Sequence, residues 1–90
     1  MSVLEWRDTA VIDLITILDY ISDDNPDAAQ ALKDEIDQKI IPLLEYPQLY
    51  KAGRVKGTRE IVVHTNYIVV YAENADTISI LRVLHVAQQW

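Results

Sequence analysis

The run Gly57-Thr-Arg-Glu-Ile-Val-Val-His-Thr-Asn-Tyr-Ile-Val-Val-Tyr71, followed by Ile78-Ser-Ile-Leu-Arg-Val-Leu-His85, decides the fold of this chain of 90 residues. Short segments rich in Val, Ile and Tyr that are separated by turn-forming residues are typical of β-strands. We therefore predict three strands, at residues 59–64, 67–72 and 77–86. Thr65-Asn66 is expected to form the first turn, with Asn66 tolerating a positive φ. Because the central strands are apolar on both faces, both faces of the sheet should be at least partly covered.

Before the strands, the apolar residues follow a helical period. Five aliphatic residues of the first predicted helix form one stripe: Val11, Leu14, Ile15, Leu18 and Ile21. Asp13 lies off this stripe, and Asp8 or Thr9 is expected to cap the helix. The turn-forming segment 22–26 ends the helix.

A second helix is expected to begin at Pro26, with Asn25 as its cap. Its apolar stripe has a spacing of four residues and comprises Ala28, Leu32, Ile36 and Ile40, broadened by Ala29 and Leu43. Pro42 should kink or end this helix. Because the connection to the first helix is short, the two helices should form an antiparallel hairpin.

The order of these elements predicts an α+β fold. A short N-terminal strand and the two-helix antiparallel hairpin should pack on a three- to four-stranded antiparallel sheet, with residues 1–90 forming one domain. The N-terminal strand is expected to pair at the edge of the sheet.

Composition excludes several classes of protein. The chain has no cysteine, no signal-peptide pattern and no apolar run near the ~20 residues that a membrane span needs, so we expect a cytoplasmic protein without a membrane segment. His64 and His85 do not have metal-ligand spacing, and two glycines cannot build a phosphate-binding loop. No metal and no cofactor are expected.

Charge is distributed unevenly along the chain. Residues 1–46 contain eleven acidic and three basic side chains, whereas residues 47–90 contain three acidic and five basic ones. Four of these bases fall within nine residues and form the basic segment: Lys51, Arg54, Lys56 and Arg59. One basic segment on an acidic body favours a docking site over a groove that follows the phosphates of nucleic acid. We expect no direct sequence-specific binding to nucleic acid. The segment could equally complement the acidic helices of its own fold.

Arg82 interrupts an apolar face of the last strand. The residues predicted to share that face are Ile78, Ile80 and Leu84. A guanidinium among aliphatic side chains needs a ligand or a carboxylate, and a salt bridge to Glu60 or Glu73 explains it as well as a binding site does. His85 ends the opposite row of the strand, where a hydrogen-bonding role is more common than catalysis. Trp90 would contact a partner if its indole were exposed.

Six local sequences, in this order and spacing, resemble the RelE/ParE superfamily of toxin–antitoxin toxins. They lie at residues 6–21, 25–29, 44–47, 53–63, 66–71 and 80–85. The resemblance covers nearly the whole chain. It implies a cytoplasmic, growth-inhibiting toxin of the plasmid-stabilisation type, which a cognate antitoxin holds inactive by folding onto it. A dimer or a toxin–antitoxin hetero-oligomer fits the same resemblance.

The two branches of the superfamily imply different activities. RelE-like toxins cleave mRNA in the ribosome with cations on the open face of the sheet and near the C-terminus. The matching positions of this chain hold Glu60, Val62, Ile68 and Ala87, none of which is cationic. Since the loss of one transition-state donor commonly costs ~10²–10³ in rate, little cleavage is expected.

The ParE-like branch fits better and implies a non-enzymatic toxin that binds DNA gyrase. For this reading the predicted partner-binding residues are Lys51, Arg54, Lys56, Arg59, Arg82 and Trp90, because arginine and tryptophan are frequent interface anchors. The alternative is an mRNA endonuclease with an atypical site formed by Arg82 and His85. A third possibility is an inert relative that only binds an antitoxin.

Overall fold

The computed structural model describes residues 2–88 and confirms the α+β fold with its helical hairpin. The elements are β1 (Val3–Trp6), α1 (Asp8–Asp24), α2 (Pro26–Ile40), a 3-10 turn (Ile41–Leu44), β2 (Lys51–Ala52), β3 (Arg59–Val63), β4 (Tyr67–Asn74) and β5 (Thr77–His85). Neither α1 nor α2, the α-helices of the described part, combines the length and hydropathy that a membrane-spanning segment requires.

The sheet has five strands in the order β1-β5-β4-β3-β2, one more than the largest number predicted. The additional strand is the two-residue β2, which is too short to leave a pattern in the sequence. β1 lies at an edge, as predicted, but it runs parallel to β5. The other neighbouring strands are antiparallel, since each is joined to the next by a short connection.

α2 follows its predicted pattern closely. Its buried residues are Ala29, Leu32, Ile36 and Ile40, and the last three belong to the core cluster that covers one face of the sheet. The Asn25 side chain accepts a hydrogen bond from the backbone N–H of Ala28 at 3.1 Å, which confirms the predicted cap. Pro42 ends the α-helix, because the chain continues from Ile41 as a 3-10 turn.

The apolar stripe of α1 is rotated relative to the prediction. Leu14, Leu18 and Ile21 pack inward as expected, and Ala10 and Ile17 join them. The prediction was wrong for Val11 and Ile15, which are exposed, and for the cap, since Arg7 occupies the cap position without a side-chain hydrogen bond. The rotation turns Asp13 towards the sheet, where it binds β5.

A β-bulge in β5 changes which side chains share a face. Val70 pairs with Arg82 and Tyr71 pairs with Ile80, so that Leu81 is an extra residue. Ile80 therefore packs under the helices, while Arg82 lies on the other face of the sheet, which we call the open face. The predicted single row of Ile78, Ile80, Arg82 and Leu84 is wrong, because a regular alternation does not survive an inserted residue.

The turn between β3 and β4 has three residues, not two. Val63 pairs with Tyr67, and the positive φ angles are 51° at His64 and 54° at Thr65. The positive φ that was predicted for Asn66 is therefore found at His64 and Thr65 and not at Asn66. The backbone N–H of His64 donates to Glu35 of α2 at 3.0 Å, and this contact helps to hold the turn.

Candidate functional site

Arg82 is bound to a carboxylate of the first helix. Its Nε donates to Oδ2 of Asp13 at 2.7 Å and its Nη2 donates to Oδ1 at 3.2 Å. The Asp13 side chain is only 17% exposed and also accepts the backbone N–H of Val83 at 3.0 Å. The hydrogen bond to Asp13 raises the pKa of Arg82 above its ordinary value. Neither Glu60 nor Glu73, the partners considered from the sequence, binds Arg82 in the described structure.

This ion pair lies where β5 extends past the end of β1. β1 pairs only with residues 77–80, so the second half of β5 has a free edge on that side. α1 supplies side chains in place of a strand, because Thr9 donates to the carbonyl of Leu81 at 3.0 Å and Asp13 accepts from Val83. Arg82 thus belongs to the contact between α1 and β5.

His85 lies on the other face of β5. It pairs with Tyr67, and the two rings are in edge-to-face contact with centroids 5.5 Å apart. The ring Nδ1 of His85 accepts a hydrogen bond from the backbone N–H of Ala87 at 3.1 Å. The backbone N–H of His85 donates to the side-chain Oε1 of Gln88 at 2.8 Å. The structure does not bring Arg82 and His85 together, and each one serves local structure.

Two of the four cations in the basic segment are engaged within the fold. Arg54 donates to Glu60 from its backbone N–H at 2.9 Å and from its Nε at 3.3 Å, and its Nη1 donates to the carbonyl of Gln88 at 3.3 Å. Arg59 donates to the carbonyl of Tyr50 at 2.7 Å. These contacts give both arginines structural roles, and their predicted contact with a partner stays a prediction.

Lys51 and Lys56 are exposed and, unlike Arg54, neither forms an ion pair within residues 2–88. The hairpin that carries them is tightly built. Gly53 donates to the carbonyl of Thr58 at 2.8 Å, Gly57 has a φ of 86°, and Thr58 donates to the carbonyl of Val55 from both its N–H and its hydroxyl. We call residues 51–59 the basic hairpin.

The open face of the sheet has an apolar centre with little positive charge. Ile68, Val70 and Leu84 form a second buried cluster, and Leu81 packs against them. Of the positions at which a RelE-like toxin places cations, Glu60 is buried in its contact with Arg54, Ile68 is in the cluster, and Val62 is half-exposed.

Sequence reasoning did not identify the partners of three structurally important carboxylates, Asp13, Glu35 and Glu60. Asp13 and Glu35 bind groups far away in the chain, and Glu60 binds Arg54 across a turn, so no helical or strand period reveals these contacts. Trp90 lies outside the described residues, so its partner contact stays a prediction. Across residues 2–88, no three His, Cys, Asp or Glu side chains are grouped in a way that could hold a metal ion.

Comparison with known proteins agrees with this geometry. Residues 4–90 match the family model described as the ParE toxin of the type II toxin–antitoxin system parDE. The chain is 39% identical over 88 residues to the putative toxin Y4kP of Sinorhizobium fredii, covering 97% of this chain and 91% of the relative. It is 32% identical over 90 residues to toxin RelE2 of Caulobacter vibrioides, covering 98% and 99%.

Solved structures share the fold. A chain of the chromosomal ParDE toxin–antitoxin system from P. aeruginosa superposes with a TM-score of 0.79 at 24% identity, covering 96% of this chain and 97% of that one. HP0894 from Helicobacter pylori gives a TM-score of 0.56 at 18% identity and full coverage of both chains (100%). The match over nearly the whole chain, together with the two relatives, shows that the protein belongs to the ParE toxin family of type II toxin–antitoxin systems.

Proposed function

We propose that this toxin stops growth by binding DNA gyrase and trapping its complex with cleaved DNA, without an active site of its own. A cognate antitoxin neutralises it in the cytoplasm by forming a hetero-oligomer with it. The toxin class and the antitoxin follow from the family, whereas gyrase as the target is our inference.

The observation that carries the proposal is the placement of Arg82. A nuclease needs a proton-transfer group and a cation that converge on one phosphate within hydrogen-bonding distance. Arg82 is bound to Asp13 on one side of β5, and His85 lies on the opposite side with its Nδ1 already occupied. This arrangement argues against the only catalytic pair that the sequence offered.

The basic hairpin is the surface that we assign to the target. Lys51 and Lys56 project from an otherwise acidic molecule, whose formal net charge is −6. Gyrase that holds cleaved DNA is surrounded by a negative field, which attracts a positive hairpin and repels an acidic helix. The field should therefore orient the toxin with this hairpin towards the complex.

The proposal is tested with purified toxin in two assays. In a gyrase supercoiling reaction the toxin should inhibit supercoiling and increase the amount of linear, cleaved DNA. In a translation reaction it should leave the mRNA intact. Rapid cleavage of translated mRNA with normal supercoiling would support the endonuclease and overturn the proposal.

A double variant separates the two mechanisms inside cells. Arg82→Ala with His85→Ala removes the candidate catalytic pair, and a variant that remains folded should still cause DNA breaks and an SOS response when induced. Circular dichroism of the purified variant verifies folding. Loss of toxicity in a folded double variant would count against a non-enzymatic mechanism.

A further inference from the structure

The outer face of α1 carries an aliphatic patch that nothing in residues 2–88 covers. Ile12 is 63% exposed, Ile15 is 54% exposed and Val11 is 38% exposed. These three residues lie within five positions of one another on a helix whose opposite face already packs into the core. Adjacent β-branched side chains on a solvent-facing helix surface indicate an interaction site.

The charge around this patch has one sign. α1 contains five aspartates and no lysine or arginine, and only Asp13 is paired with a cation in the described structure. Asp8 lies four residues before Ile12, and Asp19 lies four residues after Ile15, so all four share one row of the helix surface. The patch is therefore bracketed by exposed carboxylates at both ends.

We propose that this row, Asp8-Ile12-Ile15-Asp19, anchors a helical segment of the cognate antitoxin that carries aliphatic residues flanked by lysine or arginine. The inference rests on the toxin–antitoxin assignment. Charge complementarity defines the partner, because a row with an aspartate at each end favours a partner segment with a cation at each end. The same acidic row is repelled by gyrase-bound DNA, which separates this surface from the one assigned to the target.

The geometry specifies a pattern in the antitoxin sequence. From Asp8 to Asp19 the helix rises by about 16 Å at 1.5 Å per residue. A partner helix that packs along α1 needs basic residues about eleven positions apart, with aliphatic residues spaced by three or four between them. The molecule measures 40 × 26 × 22 Å, so an extended antitoxin segment of about twelve residues could continue from this anchor to the basic hairpin.

Titration calorimetry with the purified cognate antitoxin tests the anchor. Ile12→Ser combined with Ile15→Ser should raise the Kd at least about tenfold, because burying an isoleucine side chain is worth more than a factor of ten in a binding constant. Asp19→Lys should also raise the Kd and weaken its dependence on salt. Ile41→Ser is the matched control, since this isoleucine is 61% exposed on the 3-10 turn, and it should leave the Kd unchanged.

The outcomes distinguish this inference from the proposed function. The serine variant should keep its thermal stability and its inhibition of gyrase, and the calorimetric result holds whether or not gyrase is the target. An unchanged Kd overturns the anchor. Loss of toxicity with unchanged antitoxin binding would assign the face to the target, and a change from dimer to monomer with unchanged Kd would assign it to a second copy of the toxin.

Discussion

At the residue scale, three carboxylates each hold a neighbouring segment of the fold in the same way. Asp13, Glu35 and Glu60 each accept a backbone N–H from another segment and also bind a cationic or imidazole side chain. A carboxylate that is held by both kinds of donor fixes the position of a backbone as well as a charge. For this reason these residues should matter for stability more than exposed ion pairs do.

Removal of Arg82 tests the first of these sites. Arg82→Ala leaves the poorly exposed Asp13 carboxylate with the Val83 N–H as its remaining hydrogen-bond donor among the described contacts. The free energy of unfolding should fall by about 1–3 kcal/mol, measured by urea denaturation. Arg82→Lys should restore only part of the loss, because an ammonium group cannot reproduce the two-nitrogen contact. Wild-type stability in Arg82→Ala would show that the pair contributes nothing.

Glu35 gives stability a defined pH dependence. The pKa of Glu35 is lowered from 4.5 to about 2, chiefly by the hydrogen bond from the His64 backbone and further by contacts with Lys39 and the His64 ring. Since the folded pKa lies below the unfolded one, the stabilisation is fully present above pH 4.5 and is lost as the pH falls towards 2.

Glu35→Gln should remove that dependence. At pH 7 the variant should lose about 1–2 kcal/mol, an amount reduced by the partial solvent exposure of this side chain. The free energy of unfolding, measured by denaturation from neutral to acidic pH, should become equal for wild type and variant as the pH approaches 2. If the free energies of unfolding of the two proteins differ by the same amount at every pH, the acid sensitivity belongs to another group.

At the element scale, the edge of β5 and the basic hairpin depend on close backbone contacts. α1 follows β1 directly, so its first turns lie beside the part of β5 that β1 does not reach. In the hairpin, a Cβ on Gly53 would overlap the hydroxyl of Thr58 and crowd Glu60, whereas a Cβ on Gly57 would meet open space.

Alanine at the two glycines should therefore have different effects. Gly57→Ala should cost about 1–2 kcal/mol, because its φ of 86° is unfavourable for an L-residue. Gly53→Ala should lower the melting temperature further and weaken toxicity, since it displaces Thr58 and the Arg54–Glu60 contact. Equal melting temperatures in the two variants would contradict the steric argument.

At the scale of the whole molecule, charge separates two surfaces. The aspartates of α1 and the lysines of the basic hairpin lie on different elements, and the acidic side dominates the net charge. We propose that the antitoxin uses the acidic surface and that the target uses the basic one. The effect of a charge substitution on gyrase inhibition should then depend on its position more than on the change in net charge.

Two lysine reversals test this separation. Lys56→Glu in the basic hairpin and Lys33→Glu on α2 change the net charge equally. Lys56→Glu should reduce gyrase inhibition by about tenfold or less, as is usual for an exposed interface charge, and it should lower the salt dependence. Lys33→Glu loses only an exposed pair with Asp37 and should retain inhibition. Equal losses in both variants would indicate a general effect of net charge.

The sequence by itself determined the order of the elements, α2 with its cap and its end at Pro42, the edge position of β1 and the family. These features arise from local patterns and backbone preferences. Only the tertiary structure decided the rotation of α1, the bulge at Leu81, the carboxylate partner of Arg82 and the separation of Arg82 from His85. These features depend on groups that are far apart in the chain, where neither periodicity nor local propensity specifies which residues meet.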